Sequence, residues 1–275
     1  SSGEVTAAQK QNIMFVIDVS GSTAPATFAG GSVGDLNGDG MSNTILDAQI
    51  TSYMALSAEL AAMNIDPNMV DIGLVAFNGS GVGTSGSITG DAQLLGTFKP
   101  GDNSLTNALQ GLTDGGSTNF EAALYDTVDW FGDVNATTGD NNVVFFLSDG
   151  LNNTGNSFAN EVSALENNYD ASLIAVGVGN NADLGELNQI DNTGGAEIVT
   201  TTDALTASLI EGLTEVVDIT DTATVTVTVQ GEDDITIEAI DDAITVMEDE
   251  GAGDADGNVL TNDLENDQPY SGAVV

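Results

Sequence analysis

IMFVIDVSGS, residues 13–22, is the stretch that decides the fold of this chain. Its first five residues are all apolar, and a run of this kind is typical of a strand that is buried on both faces. The polar turn that follows projects one carboxylate and two hydroxyls, from Asp18, Ser20 and Ser22, at two-residue spacing. Such oxygen ligands suit a hard divalent cation, Mg²⁺, Mn²⁺ or Ca²⁺, and they require no thiol or imidazole. The sequence therefore predicts a strand whose end can hold a metal ion.

Further apolar runs of strand length follow along the chain. The first strand is predicted at Ile13–Val19, and three later runs are rich in β-branched residues: Val70–Phe77, Val143–Leu147 and Leu173–Val178. Ala92–Phe98 is predicted to be an antiparallel edge strand, because it is short and follows a glycine-rich hairpin.

Stretches with helical spacing separate these strands. Their apolar residues recur every three or four positions: Leu46, Ile50, Met54, Ala58 and Ala61; Phe120, Leu124, Val128 and Phe131, with Trp130 alongside; and Leu205, Leu209 and Leu213. Strands that alternate with helices predict an α/β fold over residues 12–217, a doubly wound, mostly parallel sheet flanked by helices on both faces. In such a sheet ligands bind beyond the carboxyl ends of the strands, where the strand order reverses.

Two further segments can complete the site that begins at Asp18. GGSTN, residues 115–119, opens a helical pattern, and SDG, residues 148–150, follows a predicted strand. We name the combined set the strand-end cluster; its members are Asp18, Ser20, Ser22, Thr118 and Asp149. The alternative is that Asp18 and the serines form an ordinary turn and that Thr118 is a helix N-cap, a common role for threonine.

The order of these elements resembles the metal-ion-dependent adhesion site of von Willebrand factor A domains: DxSxS, a threonine after a glycine pair, and an aspartate that ends a later strand. The resemblance covers residues 12–217 and implies a Rossmann-like fold. It implies that the serines and the threonine ligate the ion directly, that the aspartates ligate directly or through water, and that one position stays open for a carboxylate of the ligand. We also expect the ligands to sit on strand-end loops above the core, so that changing Asp18 or Thr118 leaves the fold intact.

A second candidate site is DLNGDG, residues 35–40, which has the D-x-N-x-D-G opening of a calcium loop. In such a loop positions one, three and five offer side-chain oxygens, and the glycine allows a sharp turn. A standard EF-hand has a glutamate at position twelve, whereas this chain has Leu46 there and an aspartate next to it. The predicted Ca²⁺ ligands are Asp35, Asn37, Asp39, the Met41 carbonyl and Asp47. The alternative is an Asp/Asn/Gly turn that binds no ion.

The charge of the chain restricts its partners. Forty-three acidic residues face only Lys10 and Lys99, with no arginine or histidine, and the net charge is −41. Such a chain repels nucleic acid and anionic membranes, so we expect no nucleic-acid partner and no membrane insertion. It also repels itself, which destabilises the compact state unless high salt or bound calcium neutralises it. Cysteine is absent as well, so thiolate sites and the usual nucleophilic triads are excluded and we predict no enzyme.

After residue 217 the pattern changes. TATVTVTV, residues 222–229, alternates threonine with apolar residues, which is typical of a half-buried strand. Acidic pairs such as Asp233-Asp234 and the stretch NVLTND, residues 258–263, follow. This part resembles the cadherin-like or immunoglobulin-like repeats of giant, type I-secreted RTX adhesins of bacteria. The resemblance implies a partial β-sandwich repeat and acidic linker over residues 218–275, with further Ca²⁺ in its acidic region. The alternative is a solvated acidic linker whose carboxylates bind no ion. Either the chain is cut within a module, or the A-type domain is inserted into a repeat.

The predicted function follows from both parts. We expect a metal-dependent binding or adhesion module of an extracellular, calcium-stabilised adhesin on a bacterial cell surface, as in biofilms. Its expected partners are a protein or other ligand that bears an acidic group, on a host or neighbouring cell, and the neighbouring repeats of the same chain. Two alternatives remain. One is a structural module whose metal site is capped by its own side chains, and the other is a cytoplasmic, enzyme-associated A domain like those of metal-inserting chelatases.

Overall fold

The computed structural model describes residues 9–24, 28, 32–63, 65–79, 87–154 and 156–216, together with 237–238, 264–265 and 268–269. The chain divides into two compact units, residues 1–220 and 221–275. The strands of the first unit are β1 Gln11–Asp18, β2 Val70–Phe77, β3 Ala92–Phe98, β4 Asn141–Ser148, β5 Ser172–Val178 and β6 Glu197–Val199. Its helices are α1 Ile45–Ala62, α2 Asn103–Gln110, α3 Phe120–Asp133, α4 Ala159–Tyr169, α5 Leu184–Leu187 and α6 Thr202–Val216.

These strands form one six-stranded sheet in the order β3-β2-β1-β4-β5-β6. All neighbouring strands are parallel except β3, which pairs antiparallel with β2 at the edge of the sheet. The predicted α/β fold and the predicted edge strand are therefore confirmed. The chain leaves β1 on one side to form β2 and returns on the other side to form β4, so the strand order reverses at β1. A crevice is expected at the carboxyl end of this central strand.

The central strand β1 is buried along its whole length and separates two apolar cores. Phe15 belongs to the core on the side of α1 and α6, and its ring stacks on Tyr53 of α1 with centroids 4.4 Å apart. Met14 and Val16 belong to the core on the side of α3 and α4, together with the buried Trp130 of α3. Because β1 is covered on both faces, its last residue, Asp18, is held rigidly at the crevice.

The apolar face of α1 differs from the predicted stripe. Leu46 and Ile50 are buried, but Met54 is only partly buried and both Ala58 and Ala61 are exposed. The buried face continues instead through Tyr53, Leu56 and Leu60. These side chains remove more apolar surface from water than alanine does, so they determine which face of the helix packs on the sheet. In α6 the predicted residues Leu205, Leu209 and Leu213 are all fully buried, which confirms that stripe.

Both basic residues of the chain bind one carboxylate at the amino ends of β1 and β2. Lys10 Nζ lies 3.0 Å from Asp71 Oδ2, and Lys99 Nζ lies 2.8 Å from Asp71 Oδ1. The two ammonium groups also donate to the carbonyl oxygens of Val134 and Val70, each at 2.9 Å. The positive charge of the chain is therefore concentrated at the end of the sheet opposite to the strand-end cluster.

Replacing Asp71 by Asn should lower the free energy of unfolding by about 1 to 2 kcal/mol at pH 7, since both ammonium groups lose their ionic partner. Burial raises the pKa of Asp71, but hydrogen bonds to Lys99 and Lys10 and their charges outweigh it, so its pKa lies below the ordinary value. The stabilisation is therefore present above the ordinary carboxyl pKa and is lost as the pH falls through the lowered one. Urea unfolding at pH 7 and pH 2.5 measures this. An equal loss in the exposed control Asp133→Asn would contradict it.

The second unit contains three described strands of two residues each: β7 Ile237–Glu238, β8 Leu264–Glu265 and β9 Gln268–Pro269. They form an antiparallel sheet. The predicted strand at residues 222–229 and the acidic pairs of this part lie outside the described residues. The β-sandwich repeat and its Ca²⁺ ions therefore remain predictions. In the described part of the chain no helix is long and apolar enough to cross a membrane.

Candidate metal site at the carboxyl ends of the strands

Asp18 is the last residue of β1, and its side chain is completely buried. Its Oδ1 accepts a hydrogen bond from the Ser20 N–H at 2.8 Å, and its Oδ2 accepts one from the Ser148 hydroxyl at 2.6 Å. The side-chain amide of Gln49 on α1 donates to the Asp18 carbonyl at 3.0 Å. The expectation that this ligand sits above the core is therefore wrong for Asp18. Alanine at this position would leave the Ser20 N–H and the Ser148 hydroxyl without their acceptor, so asparagine is the better substitution.

A chain of hydroxyls connects Asp18 to Asp149. The Ser20 and Ser22 hydroxyl oxygens are 3.0 Å apart, and the Ser22 hydroxyl donates to Asp149 Oδ1 at 2.8 Å. Asp149 directly follows β4 and is 1% exposed, whereas Ser22 is exposed to solvent. The structure thus brings together four of the five predicted members of the strand-end cluster, and solvent reaches the cluster at Ser22.

Thr118 reaches the same place through the glycine pair that precedes it. The Gly21 N–H donates to the Gly116 carbonyl at 3.1 Å, so this turn lies directly against the turn after β1. Gly116 has a φ of +85°, and a Cβ there would come within 2.5 Å of the Gly79 carbonyl oxygen, so only glycine fits. A Cβ at Gly150 would lie 3.6 Å from the Ser22 hydroxyl and 3.9 Å from the Thr118 hydroxyl. Both hydroxyls therefore face the same glycine, directly after Asp149.

The proposed alternative role of Thr118 as a helix N-cap is wrong. The N-cap of α3 is Asn119, whose side chain accepts a hydrogen bond from the Ala122 N–H at 3.3 Å. The Thr118 hydroxyl is therefore not needed to begin the helix. Thr118 is 2% exposed, and its hydroxyl is available as an oxygen ligand of the cluster.

The two carboxylates of the cluster are close enough to affect each other. Burial raises the pKa of Asp18, and burial together with the charge of Asp18 raises the pKa of Asp149 to about 7. No basic residue of the chain is left to neutralise them, because Lys10 and Lys99 both bind Asp71. A divalent cation would supply the missing charge, and all the available donors are the oxygens that a hard cation prefers. The residues present therefore fit such an ion.

The D-x-N-x-D-G loop is curled around its own side chains. The carboxylate of Asp35 accepts hydrogen bonds from the Gly38 N–H at 2.8 Å and the Gly40 N–H at 3.0 Å. Asp39 Oδ1 accepts one from the Met41 N–H at 2.7 Å. The Asn37 amide donates to Asp39 Oδ2 at 3.1 Å. The structure thus brings Asp35, Asn37, Asp39 and Met41 into one tight loop.

Asp47 has a different role in the structure. It is buried in the first turn of α1, where its Oδ2 accepts hydrogen bonds from the N–H of Thr44 at 2.9 Å and from the hydroxyl of Thr44 at 2.8 Å. The pair forms a capping box, and Asp47 Oδ1 also accepts from the Leu36 N–H at 2.8 Å. Within the described residues no three acidic side chains are grouped so that they could hold a metal. Ca²⁺ binding by this loop remains a prediction, and Asp47 would have to exchange these bonds to join it.

Sequence reasoning missed several residues that hold the strand-end cluster in place. Ser148 binds Asp18, Gln49 holds the Asp18 backbone, and Asn153 Oδ1 accepts the Thr118 N–H at 2.9 Å. Ser148 was visible as a part of the SDG stretch. Gln49 and Asn153 belong to no local motif, because their partners are distant in sequence and only the fold brings them together.

The family model of the von Willebrand factor type A domain matches residues 38–216. The chain belongs to this family. The match begins after Asp18, Ser20 and Ser22, so the family model does not cover these three members of the cluster. They belong to this von Willebrand factor A domain because β1, which precedes them, is the central strand of its sheet. No curated protein matches the sequence.

Solved structures show the same fold at low sequence identity. A von Willebrand factor type A protein from Catenulispora acidiphila is 16% identical, with a TM-score of 0.51, over 75% of this chain and 42% of that protein. The proximal thread matrix protein 1 of the mussel byssus is 18% identical, with a TM-score of 0.52, over 76% and 46%. The pilus adhesin SpaC from Lactobacillus rhamnosus GG is 16% identical, with a TM-score of 0.58, over 76% and 31%. The chain therefore spans less than half the length of these three structures, and the likeness concerns the fold alone.

Proposed function

We propose that this domain is a metal-dependent binding module and that the strand-end cluster is its metal-ion-dependent adhesion site. One observation carries the proposal: two buried carboxylates, Asp18 and Asp149, are connected by hydrogen bonds through Ser20 and Ser22 and have no basic partner. Such an arrangement destabilises the metal-free protein, because a buried charge is unfavourable unless it is paired or bound to a metal. A bound divalent cation removes this cost.

In this proposal the oxygens of all five residues of the cluster hold the ion. When bound there, Mg²⁺, Mn²⁺ or Ca²⁺ would provide a cation that a carboxylate can coordinate. Three of the five donors are neutral hydroxyls, from Ser20, Ser22 and Thr118, so the two carboxylates only balance the charge of the ion, and an acidic group can still join it at an open coordination position. The exposed side chain of Ser22 leaves the cluster accessible to such a group.

The proposed ligand is a protein or another molecule that bears an acidic group on a host or neighbouring cell. A surface as acidic as this one repels such a ligand, so a bound cation is required to bring the two together. A pilus adhesin shares the fold, and we extend surface adhesion to this chain as part of the proposal. The same proposal places the domain outside the cell, in a calcium-stabilised bacterial adhesin of the RTX type.

Replacing Thr118 by Val should weaken Mn²⁺ binding by at least about tenfold, because the side chain keeps its shape but loses its ligating oxygen. Mn²⁺ binding is measured by the relaxation of water protons, which also reports whether a coordination position is open to solvent. In the wild type, millimolar acetate should displace the bound water and reduce the relaxation enhancement.

The matched control is Thr214→Val, because the Thr214 hydroxyl donates only within α6, to the Glu211 carbonyl at 2.8 Å. This variant should bind Mn²⁺ as the wild type does. Equal affinities in both threonine variants would refute the assignment of the site. Bound Mn²⁺ that acetate does not affect would favour the structural module with a capped ion over the adhesive one.

A further inference from the structure

Thr118 and Asn153 are joined by a pair of hydrogen bonds that run in opposite directions. The Thr118 N–H donates to Asn153 Oδ1 at 2.9 Å, and the Asn153 N–H donates to the Thr118 carbonyl at 3.1 Å. The segment after β4 is thereby bound to the turn before α3. These two segments carry Asp149 and Thr118, two members of the strand-end cluster.

The neighbouring residue, Asn152, anchors the same segment at a second place. Its N–H donates to Glu186 Oε2 on α5 at 2.7 Å. The acceptor is a carboxylate, and hydrogen bonds to charged groups are shorter and stronger than those between neutral groups. The position of Asn153 is therefore fixed by α5 as well as by its own bonds to Thr118.

Only three residues lie between Asp149 and Asn153. The separation between the Thr118 hydroxyl and the Asp149 carboxylate therefore depends on Asn153, together with the bonds from the N–H groups of Ser117 and Asn119 to the turn after β2. The two glycines that precede Thr118 in the turn, Gly115 and Gly116, both have positive φ angles, of 157° and 85°. Because glycine has no side chain to pack, the backbone of this turn is held in place by its hydrogen bonds to neighbouring segments.

We propose that Asn153 is a positioning residue that acts through Thr118 and makes the strand-end cluster selective for Mg²⁺ over Ca²⁺. The inference rests on the proposed function of the cluster. Mg²⁺ requires nearly ideal octahedral geometry at about 2.1 Å, whereas Ca²⁺ accepts six to eight oxygens at about 2.3 to 2.6 Å in flexible arrangements. A Thr118 hydroxyl that is no longer fixed relative to Asp149 therefore disfavours the smaller ion more than the larger one.

The test uses Mn²⁺ as a reporter and measures the concentrations of Mg²⁺ and of Ca²⁺ that displace it from the full chain. Replacing Asn153 by Ala should raise the Mg²⁺ dissociation constant by about tenfold and the Ca²⁺ dissociation constant by no more than about twofold. Replacing Asn153 by Asp keeps an oxygen acceptor for the Thr118 N–H. The added charge should strengthen the binding of both ions, but the ratio of the two constants should stay at its wild-type value.

Asn192→Ala is the matched control. Asn192 also joins backbone segments, because its Oδ1 accepts the Leu173 N–H at 2.8 Å and its amide donates to the Ala171 carbonyl at 3.0 Å. These residues lie at the amino end of β5, at the opposite end of the sheet from the cluster. Its loss should lower the melting temperature in chelator but leave the Mg²⁺/Ca²⁺ ratio unchanged.

The outcomes separate this inference from the proposed function. A ratio that Asn153→Ala leaves unchanged, or that Asn153→Asp alters as much as Asn153→Ala does, overturns the role of Asn153 while the cluster keeps its metal. Failure of the wild type to bind Mn²⁺ overturns the proposed function itself, and this inference with it. If the Mg²⁺/Ca²⁺ ratio shifts in Asn153→Ala but not in Asn153→Asp, the result supports both the role of Asn153 and the proposed function.

Discussion

Replacing Asp149 by Asn is expected to stabilise the metal-free chain at pH 8 and to abolish its stabilisation by Mg²⁺. The amide has the same shape, and its oxygen can still accept the hydrogen bond that Ser22 donates at 2.8 Å. Burial and the charge of Asp18 raise the pKa of Asp149 to about 7, so at pH 8 Asp149 carries a buried charge next to the Asp18 carboxyl. Asparagine removes that charge. It also removes a ligand that carries charge, which the cation requires.

The sign of the pH dependence provides a second test of the same variant. A carboxyl whose pKa is raised by folding stabilises the folded state below its ordinary pKa, and this contribution is lost as the pH rises through the raised pKa. In chelator the wild type should therefore lose stability between about pH 4 and pH 7, whereas Asp149→Asn should lose much less. The difference between the two proteins should be small at about pH 4.

Asp126→Asn is a suitable control for this experiment. Burial and the charge of Asp129 raise the pKa of Asp126, which lies on α3 away from the cluster. Its replacement also removes an unfavourable charge, but the shift of the melting temperature with Mg²⁺ should remain. An Mg²⁺ shift that survives in Asp149→Asn would show that the ion binds elsewhere.

The melting temperature should be higher in millimolar Ca²⁺ than in chelator at the same ionic strength. At a free-ion concentration 100-fold above the dissociation constant, one site contributes about 2.7 kcal/mol, which for a domain of this size corresponds to a shift of roughly 5 to 10 °C. The net charge of −41 makes the metal-free chain especially dependent on cations. Differential scanning calorimetry in Ca²⁺ and in chelator provides the comparison, and equal melting temperatures would contradict it.

The double variant Asp35→Ala, Asp39→Ala shows how much of the Ca²⁺-dependent rise in melting temperature comes from the D-x-N-x-D-G loop and how much from the strand-end cluster. Both side chains accept backbone hydrogen bonds within the loop, so some stability should be lost in chelator as well. The loss should be larger in Ca²⁺ if the loop binds the ion. If the losses are equal in both conditions, the loop is an ordinary turn.

Much of the fold was predictable because the four inner strands, β1, β2, β4 and β5, are buried along almost their whole length. Their runs are mainly apolar, and the predicted bounds of β2 and of the edge strand β3 agree with the structure. The phase of α1 was not predictable in the same way, because the alanines of its exposed face, Ala58 and Ala61, imitate an apolar stripe. The helix α5 and the strand β6 have only four and three residues, too few for a periodic pattern to be recognised.

The position of the cluster could be predicted because each of its members belongs to a short motif at the end of a strand or before a helix. The roles of Asp47 and Asn153 could not be predicted with equal ease. Asp47 follows Thr44 by three residues, a spacing that also marks a capping box, and in the structure this role is the one that it takes. The partner of Asn153 is 35 positions away, and no local pattern indicates such a bond.

The pairing of both lysines with Asp71 has a kinetic consequence. All positive side chains lie at one end of the sheet, so the face that contains the cluster generates an unbroken negative potential. An acidic ligand of the kind proposed would then be repelled over a Debye length, about 8 Å at physiological salt, and attracted only on reaching a bound ion. Added monovalent salt should therefore accelerate its capture, the reverse of ordinary electrostatic steering, while its escape depends on the short metal–oxygen bond. In the proposed module, the ligand would therefore associate slowly and dissociate slowly.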